Sequence, residues 1–307
     1  MSPLENNKHV FLSNARTEGG VFFVPSRLLL RVSGKDSLRY LNGQVTADLR
    51  KISPENALQA CLLTPKGRLV ALLAITIEHD TFLIETDALL QDSVIERLER
   101  YLVADDVTIE VITPPEIIHC FGKFSEVPEI QRAHGVVTSR LGFSGKDLDA
   151  ALFSSLSVST QTKPLSNQLV ELLRIEQKIP RWGFELTNET LPPEARLEED
   201  CINYEKGCYL GQEVISRLKS LGHVNRLLYG FISQEEIKPG MEIFSEQEPS
   251  RVLGTLTSTA LQYDSGRWIA LGYLRRGSEN ALSLFAKNPE TGDVAQLHVR
   301  KSTSRKN

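Results

Sequence analysis

Cysteine is scarce in this sequence: four residues in 307, with no C-x-x-C pair. That excludes a disulfide framework. Cys201 and Cys208 stand seven apart, which fits no common zinc spacing. Cys61 and Cys120 sit in apolar runs and read as small buried hydrophobes. His119, His134 and His223 are scattered, with none at metal-ligand distance from another. Only two methionines are present, so a Met-rich surface is excluded. The longest apolar run, Leu69–Ile77, falls well short of the ~18 residues that cross a bilayer, and no membrane association is expected. Absent too are a G-x-G-x-x-G after a strand, a P-loop, H-E-x-x-H and G-x-S-x-G, which removes the common dehydrogenase, NTPase, zincin and hydrolase readings. The first residues, MSPLENNKHVFLSNARTEGG, lack a basic start followed by an apolar core and carry Glu5 and Glu18, so a cytoplasmic protein is expected. A net charge of −4 argues against a general nucleic-acid surface, and direct nucleic-acid binding is not expected.

What is present suffices for two or three domains. LLLRVSG (28–34) reads as a strand, and KDSLRYLNGQ as a short helix capped by Asp36 and stopped at Asn42-Gly43. ALQACLLTPKGRLVALLAITIE reads as a hairpin turning at Thr64–Gly67, and Glu78-His79-Asp80 turns the chain into the strand TFLIETD. In DALLQDSVIERLERYL, Leu90, Val94, Leu98 and Tyr101 share a helical face, and DVTIEVI is again a strand. This mixture is an α+β pattern. Residues 111–165 read as a small α+β subdomain, followed by a polar linker at FSSLSVSTQTKPLSN. NQLVELLRIEQKIP is a helix ending before Pro180, with Leu169, Leu172, Leu173 and Glu176 on one face. From Arg226 short strands alternate with turns, predicting a C-terminal antiparallel β-barrel. The expected division is 1–110 with 166–222, then 111–165, then 223–307. No coiled-coil heptad appears, so a monomer is expected.

The stretch KGCYLGQEVISR (206–217) raises the question of chemistry. Val214, Ile215, Leu218 and Leu221 predict a helix just after Cys208, with Gly222 as its C-cap. A helix N-terminus and the charge of Lys206 would favour a thiolate, making Cys208 a reactive thiol or soft-metal ligand; the alternative is a small residue packed in a turn. Glu176 is either a buried ion pair, with Arg174, Arg181 or Arg196, or a pocket carboxylate facing a planar heterocycle with adjacent N–H donors. Gln44, Thr46 and Asp48 either line a pocket or cap backbone groups, and Lys66 and Arg68 either hold an anionic tail or form a solvated hairpin tip. Arg217, Lys219, His223 and Arg226 form a basic cluster suited to acidic partners, or simply a solvated helix face.

From Lys206 to Glu213 the chain resembles the signature of the YgfZ-type folate-binding proteins, the family that includes the mitochondrial iron–sulfur assembly factor of eukaryotes. RVSGKDSLRYLNGQVTADL (31–49), CLLTPKGRL (61–69) and LLRIEQKIPRWGFELTNETLPPEA (172–195) agree with it, and the last carries a pattern shared with glycine-cleavage T-proteins. The resemblance spans roughly residues 28–285. It implies a three-domain ring with ferredoxin-like α+β parts, a C-terminal barrel and tetrahydrofolate at the centre. Glu176 matches the pterin-gripping position; Gln44, Thr46, Lys66, Arg68, Tyr209 and Gln212 join it as cofactor-binding candidates. Cys208 is the family cysteine, with Lys206 beside it. The implied role is support of iron–sulfur enzymes, including those that methylthiolate tRNA, by assembling or repairing clusters. Folate, client enzymes and assembly proteins are the implied partners. Cys208 would be a transient cluster ligand, completed by thiols from elsewhere because one cysteine cannot hold a cluster. The aminomethyltransferases carry an aspartate on the strand after the first hairpin, whereas Gly67–Ile77 here has no carboxylate, which argues against one-carbon transfer. A folate-dependent transferase and a non-catalytic scaffold stand as the alternatives.

Overall fold

The structure, a computed structural model, describes residues 12–24, 26–53, 57–112, 117–122, 137–139, 144–149, 164–220, 222–281 and 283–300. Much of the expected 111–165 subdomain, most of the linker, Leu221 and the first eleven residues lie outside the described residues.

Alternating side chains build the first sheet. In β2 (Arg27–Ser33) Leu28, Leu30 and Val32 are buried, and in β4 (Leu69–Glu78) Leu69, Ala71, Leu73 and Ile75 are. This is the period of a strand with one covered face. With β3 (Leu58–Leu63), β5 (Thr81–Asp87) and β6 (Thr108–Ile112) they form a five-stranded antiparallel sheet in the order β3-β4-β5-β2-β6. The β4–β5 turn places His79 and Asp80 at φ of 45° and 64°, the left-handed geometry that a tight two-residue hairpin needs. Helices Ser37–Gln44 and Gln91–Glu99 cover the buried face through Tyr40, Leu41, Val94 and Leu98. The first helix runs through Asn42-Gly43 rather than stopping there. Asp36 does not cap it; its carboxylate accepts from the Asp106 N–H at 2.9 Å.

β1 (Gly19–Val24) pairs with β7 (Ile117–Gly122), in a sheet ordered β1-β7-β9-β8 with β8 (Val137–Ser139) and β9 (Ser144–Asp149). The expected division at residue 110 is crossed by this pairing, since residues 19–24 complete the sheet of the middle segment.

Six C-terminal strands close into an antiparallel barrel: β10 (Arg226–Ser233), β13 (Arg267–Arg275), β12 (Gly254–Gln262), β11 (Glu242–Ser245), β14 (Leu284–Lys287) and β15 (Val294–Val299), which returns to β10. Closure leaves no open edge. Phe231, Ile243, Leu256, Ala270, Leu274 and Ala286 belong to its core.

The helix Asn167–Glu176, capped by Ser166, packs Leu169, Leu172 and Leu173 against barrel residues Leu228, Ile269 and Leu271. A bulge between Leu256 and Ser258 turns two consecutive hydroxyls toward one buried carboxylate: Glu185 Oε1 accepts from Thr257 at 2.7 Å and from Ser258 at 2.6 Å. Arg174 Nη1 donates to Glu185 Oε2 at 2.9 Å, and its other nitrogens reach Glu171. A buried charge is tolerated only when its hydrogen bonds are met, and here they are. This network fixes the helix end, and so Glu176, against the barrel.

Candidate functional site

The signature residues gather at one hub. Lys206 is buried, and its ammonium donates to the carbonyls of Asn42 and Val45 at 2.7 Å and of Ala47 at 2.6 Å. An ammonium has three protons, so all are used. Burial pushes its pKa down to about 8, against the pull of Asp48. In the structure Lys206 clamps the 203–211 loop onto the 42–47 turn. Leu210 N–H to Gly43 O (3.1 Å) and Asn203 N–H to Thr46 O (3.0 Å) add to the clamp. Of the two readings of Thr46, the structure shows the one that satisfies backbone groups. Thr46 is fully buried and bridges backbone groups: its hydroxyl accepts from Cys61 N at 2.7 Å and donates to Cys201 O at 2.5 Å.

The two glycines of the signature differ. Gly211 has φ of 86°, and a Cβ there would lie 2.7 Å from the Thr64 carbonyl and 3.3 Å from Gly67 Cα. Gly67, at φ of 72°, would place a Cβ 2.9 Å from Val214 Cβ. The hairpin tip and the signature turn thus meet backbone to backbone, as only glycine allows. A Cβ on Gly207 would meet nothing within 4 Å. The chain is open beside Cys208.

Tyr209 is buried in the core with Cys61, Leu63 and Ile215. Burial raises its phenol pKa, and among the described residues its hydroxyl has no hydrogen-bond partner. Gln212 Oε1 accepts from Tyr209 N at 3.3 Å, closing the turn. Both residues, assigned to cofactor binding from the signature, are engaged in holding the loop. Cys208 between Lys206 and Tyr209 is exposed. It precedes the helix Gln212–Ser220 by a full turn of chain instead of abutting it.

Gln44 accepts from Arg97 Nη1 at 2.9 Å, and Arg97 Nε donates to Leu63 O at 2.7 Å. Buried Arg97, with its pKa lowered by burial, is a hub residue that sequence reasoning missed. Its spacing from Leu90 and Val94 on the covered helix face was the available signal. Lys66 is exposed at the hairpin tip, and Arg68 pairs with Glu189 at 2.8 Å.

Glu176 belongs to a different constellation. Its nearly buried carboxylate accepts from Arg16 Nε at 3.0 Å, from Arg16 Nη2, and from Gln262 Nε2 at 2.7 Å. The ion-pair partner is Arg16, from helical residues 12–17, and not Arg174, Arg181 or Arg196. Arg16 also pairs with Asp264. Arg300 donates to the carbonyls of Ile175 (3.1 Å) and Glu176 (2.9 Å), capping the helix end. A polar cleft of about 360 Å³ is lined by these groups. None of the hub residues lines it. Among the described residues no group of three His, Cys, Asp or Glu side chains is placed to hold a metal ion, and no helix is long and apolar enough to cross a membrane.

No protein-family model matches the chain. It is 28% identical over 262 residues to the tRNA-modifying protein YgfZ of Enterobacter sp. (strain 638), covering 78% of this chain and 80% of that protein. It is 26% identical over 247 residues to the mitochondrial iron–sulfur cluster assembly factor IBA57 homolog of Neurospora crassa, covering 72% and 56%. The crystal structure of glycine cleavage system aminomethyltransferase T from Bartonella henselae superposes with a TM-score of 0.80, over 98% of this chain and 90% of that one, at 16% identity. That likeness is one of fold. From the sequence relatives and the shared architecture together, the chain is a YgfZ-type relative of the aminomethyltransferase T fold.

Proposed function

We propose that this protein supports iron–sulfur cluster metabolism, including the cluster-dependent modification of tRNA, through the Cys208 thiol and with a reduced folate held at Glu176. The observation that carries the reading is the contrast within the signature loop. Lys206, Tyr209, Gly211 and Gln212 fasten the loop, and Cys208 is left exposed. An exposed thiol on a fixed loop suits soft-metal ligation and exchange. The cluster would be cargo, completed by thiols of a partner. Sequence likeness to the tRNA-modifying and cluster-assembly proteins supports the same role.

The Glu176 cleft fits the ring of a folate by its chemistry. Carboxylate and amide groups surround it, and the guanidinium of Arg16 already presents to Glu176 the adjacent pair of N–H donors that a pterin edge would present. Glu176 and Gln262 would hold the ring, with Arg16 displaced. A reduced folate would bring a one-carbon carrier. Aminomethyl transfer itself gains no support, because the one carboxylate of β4, Glu78, stands at its exposed end.

The test is complementation of cells lacking their own YgfZ-type protein, with methylthiolated tRNA bases as the readout. The wild type should restore them, and Cys208→Ala at matched abundance should leave them at the background level. Equal restoration by both would remove the thiol from the function.

A further inference from the structure

A second cleft, of about 520 Å³, opens between the short helix Glu198–Cys201, the helix Gln212–Ser220 and the start of β10. Its size falls in the range of small-molecule sites. Ile202, Leu218, Val224 and Leu227 give it an apolar floor. Lys219, His223 and Arg276 stand exposed at its rim. Among the described residues none of the three is ion-paired with a carboxylate, unlike Arg27, Arg39, Arg68, Arg174 and Arg226 elsewhere in the chain. Lys219 lies over the Tyr204 ring at 3.4 Å, a cation–π contact that orients its ammonium at the rim, where the exposed Glu199 also stands. Glu198 forms part of the wall. Among the described residues its Oε2 is buried without a hydrogen-bond partner, and burial pushes its carboxyl above the usual carboxylate range. Buried acceptors are nearly always satisfied, so an orphaned one beside an apolar floor marks a place for a donor.

We propose that this cleft is a binding site for a planar anionic heterocycle. The ring would lie on the apolar floor with a ring or exocyclic N–H donating to Glu198, and a phosphate or carboxylate substituent would meet Lys219, His223 and Arg276. Guanine mononucleotides and reduced folates share this chemistry. The site is independent of the Glu176 cleft, with which it has no lining residue in common.

The experiment is calorimetric titration of the full chain with GMP, guanosine, inorganic phosphate and 5-formyltetrahydrofolate, repeated with E198L, R276E and E176Q. GMP should bind at least about tenfold more tightly than guanosine or phosphate alone. E198L and R276E should each weaken GMP about tenfold, and E176Q should not. Arg276 is exposed, so R276E keeps the test valid should E198L fold poorly. Reduced folate that weakens in E198L and not in E176Q would support the cleft, identify folate as its source, and overturn the Glu176 reading. Reduced folate that depends on Glu176 alone, with no saturable GMP binding, would overturn the cleft and leave the proposed function standing. GMP binding that neither E198L nor R276E changes would also overturn it.

Discussion

The signature hub and the Glu176 cluster use polar residues in opposite ways. At the hub, charged and polar side chains are spent on backbone: Lys206 on three carbonyls, Thr46 on Cys61 N and Cys201 O, Arg97 on Leu63 O. The reactive atom exposed there is the Cys208 sulfur. At the Glu176 cluster, side chain meets side chain across the seam between helix and barrel, and the carboxylate of interest is occupied by Arg16 and Gln262. The difference teaches that a motif's residue types do not share one role. Most of KGCYLGQE is scaffold for a single exposed thiol, whereas Glu176 stands in a side-chain pairing that any ligand of its carboxylate would have to replace.

The largest effect should come from breaking the hub at its clamp. Lys206→Met removes the ammonium and leaves the carbonyls of Asn42, Val45 and Ala47 without their donor. Orphaned buried acceptors cost about 1–3 kcal/mol each before relaxation, so a loss of about 4 kcal/mol is expected. Urea unfolding would show it as a lowered midpoint. A loss below about 1 kcal/mol would mean that water replaces the ammonium and the clamp is loose. Removing Arg16 from the other region should cost far less, because Arg16 is partly exposed.

The next contrast lies inside the signature. Gly211→Ala forces a Cβ against the Thr64 carbonyl at a positive φ and should cost about 2–3 kcal/mol. Gly207→Ala meets open space and should change stability by less than about 0.5 kcal/mol. Thermal unfolding of the two variants side by side checks this. If Gly207→Ala nonetheless abolishes restoration of tRNA methylthiolation, the space beside Cys208 is needed by whatever reaches the thiol.

Local order was largely legible. The period-two burial of β2 and β4, the His79-Asp80 turn, the apolar faces of the 91–99 and 167–176 helices and the barrel strands all follow from short-range pattern. The signature likewise located the hub and its exposed cysteine. What could not be read was long-range pairing. Lys206 finds its carbonyls some 160 residues upstream, and Arg16 finds Glu176 at a separation of 160. β1 crosses into the middle sheet to pair with β7. Thr46 suits a pocket wall by residue type; only tertiary packing, which puts Cys61 N and Cys201 O on either side of it, makes it a buried bridge. Side-chain chemistry narrows what a residue can bind, but the partner is set by topology.

The smallest predicted effect bears on the occupied carboxylate. In Arg16→Ala, Glu176 keeps Gln262 as a donor but loses the guanidinium, and a reduced folate no longer has to displace a competitor. Partly exposed ion pairs contribute about 1 kcal/mol, which converts to about a fivefold gain in affinity for 5-formyltetrahydrofolate. Glu176→Gln should remove that gain as well as the parent binding, since an amide offers one acceptor where the carboxylate offers two. Titrating the two single variants and the double variant separates the possibilities. Weaker binding in Arg16→Ala would make Arg16 part of the ligand's hold instead of its rival. The Glu176 cluster would then resemble the hub after all, a set of fixed groups around one that is free to act.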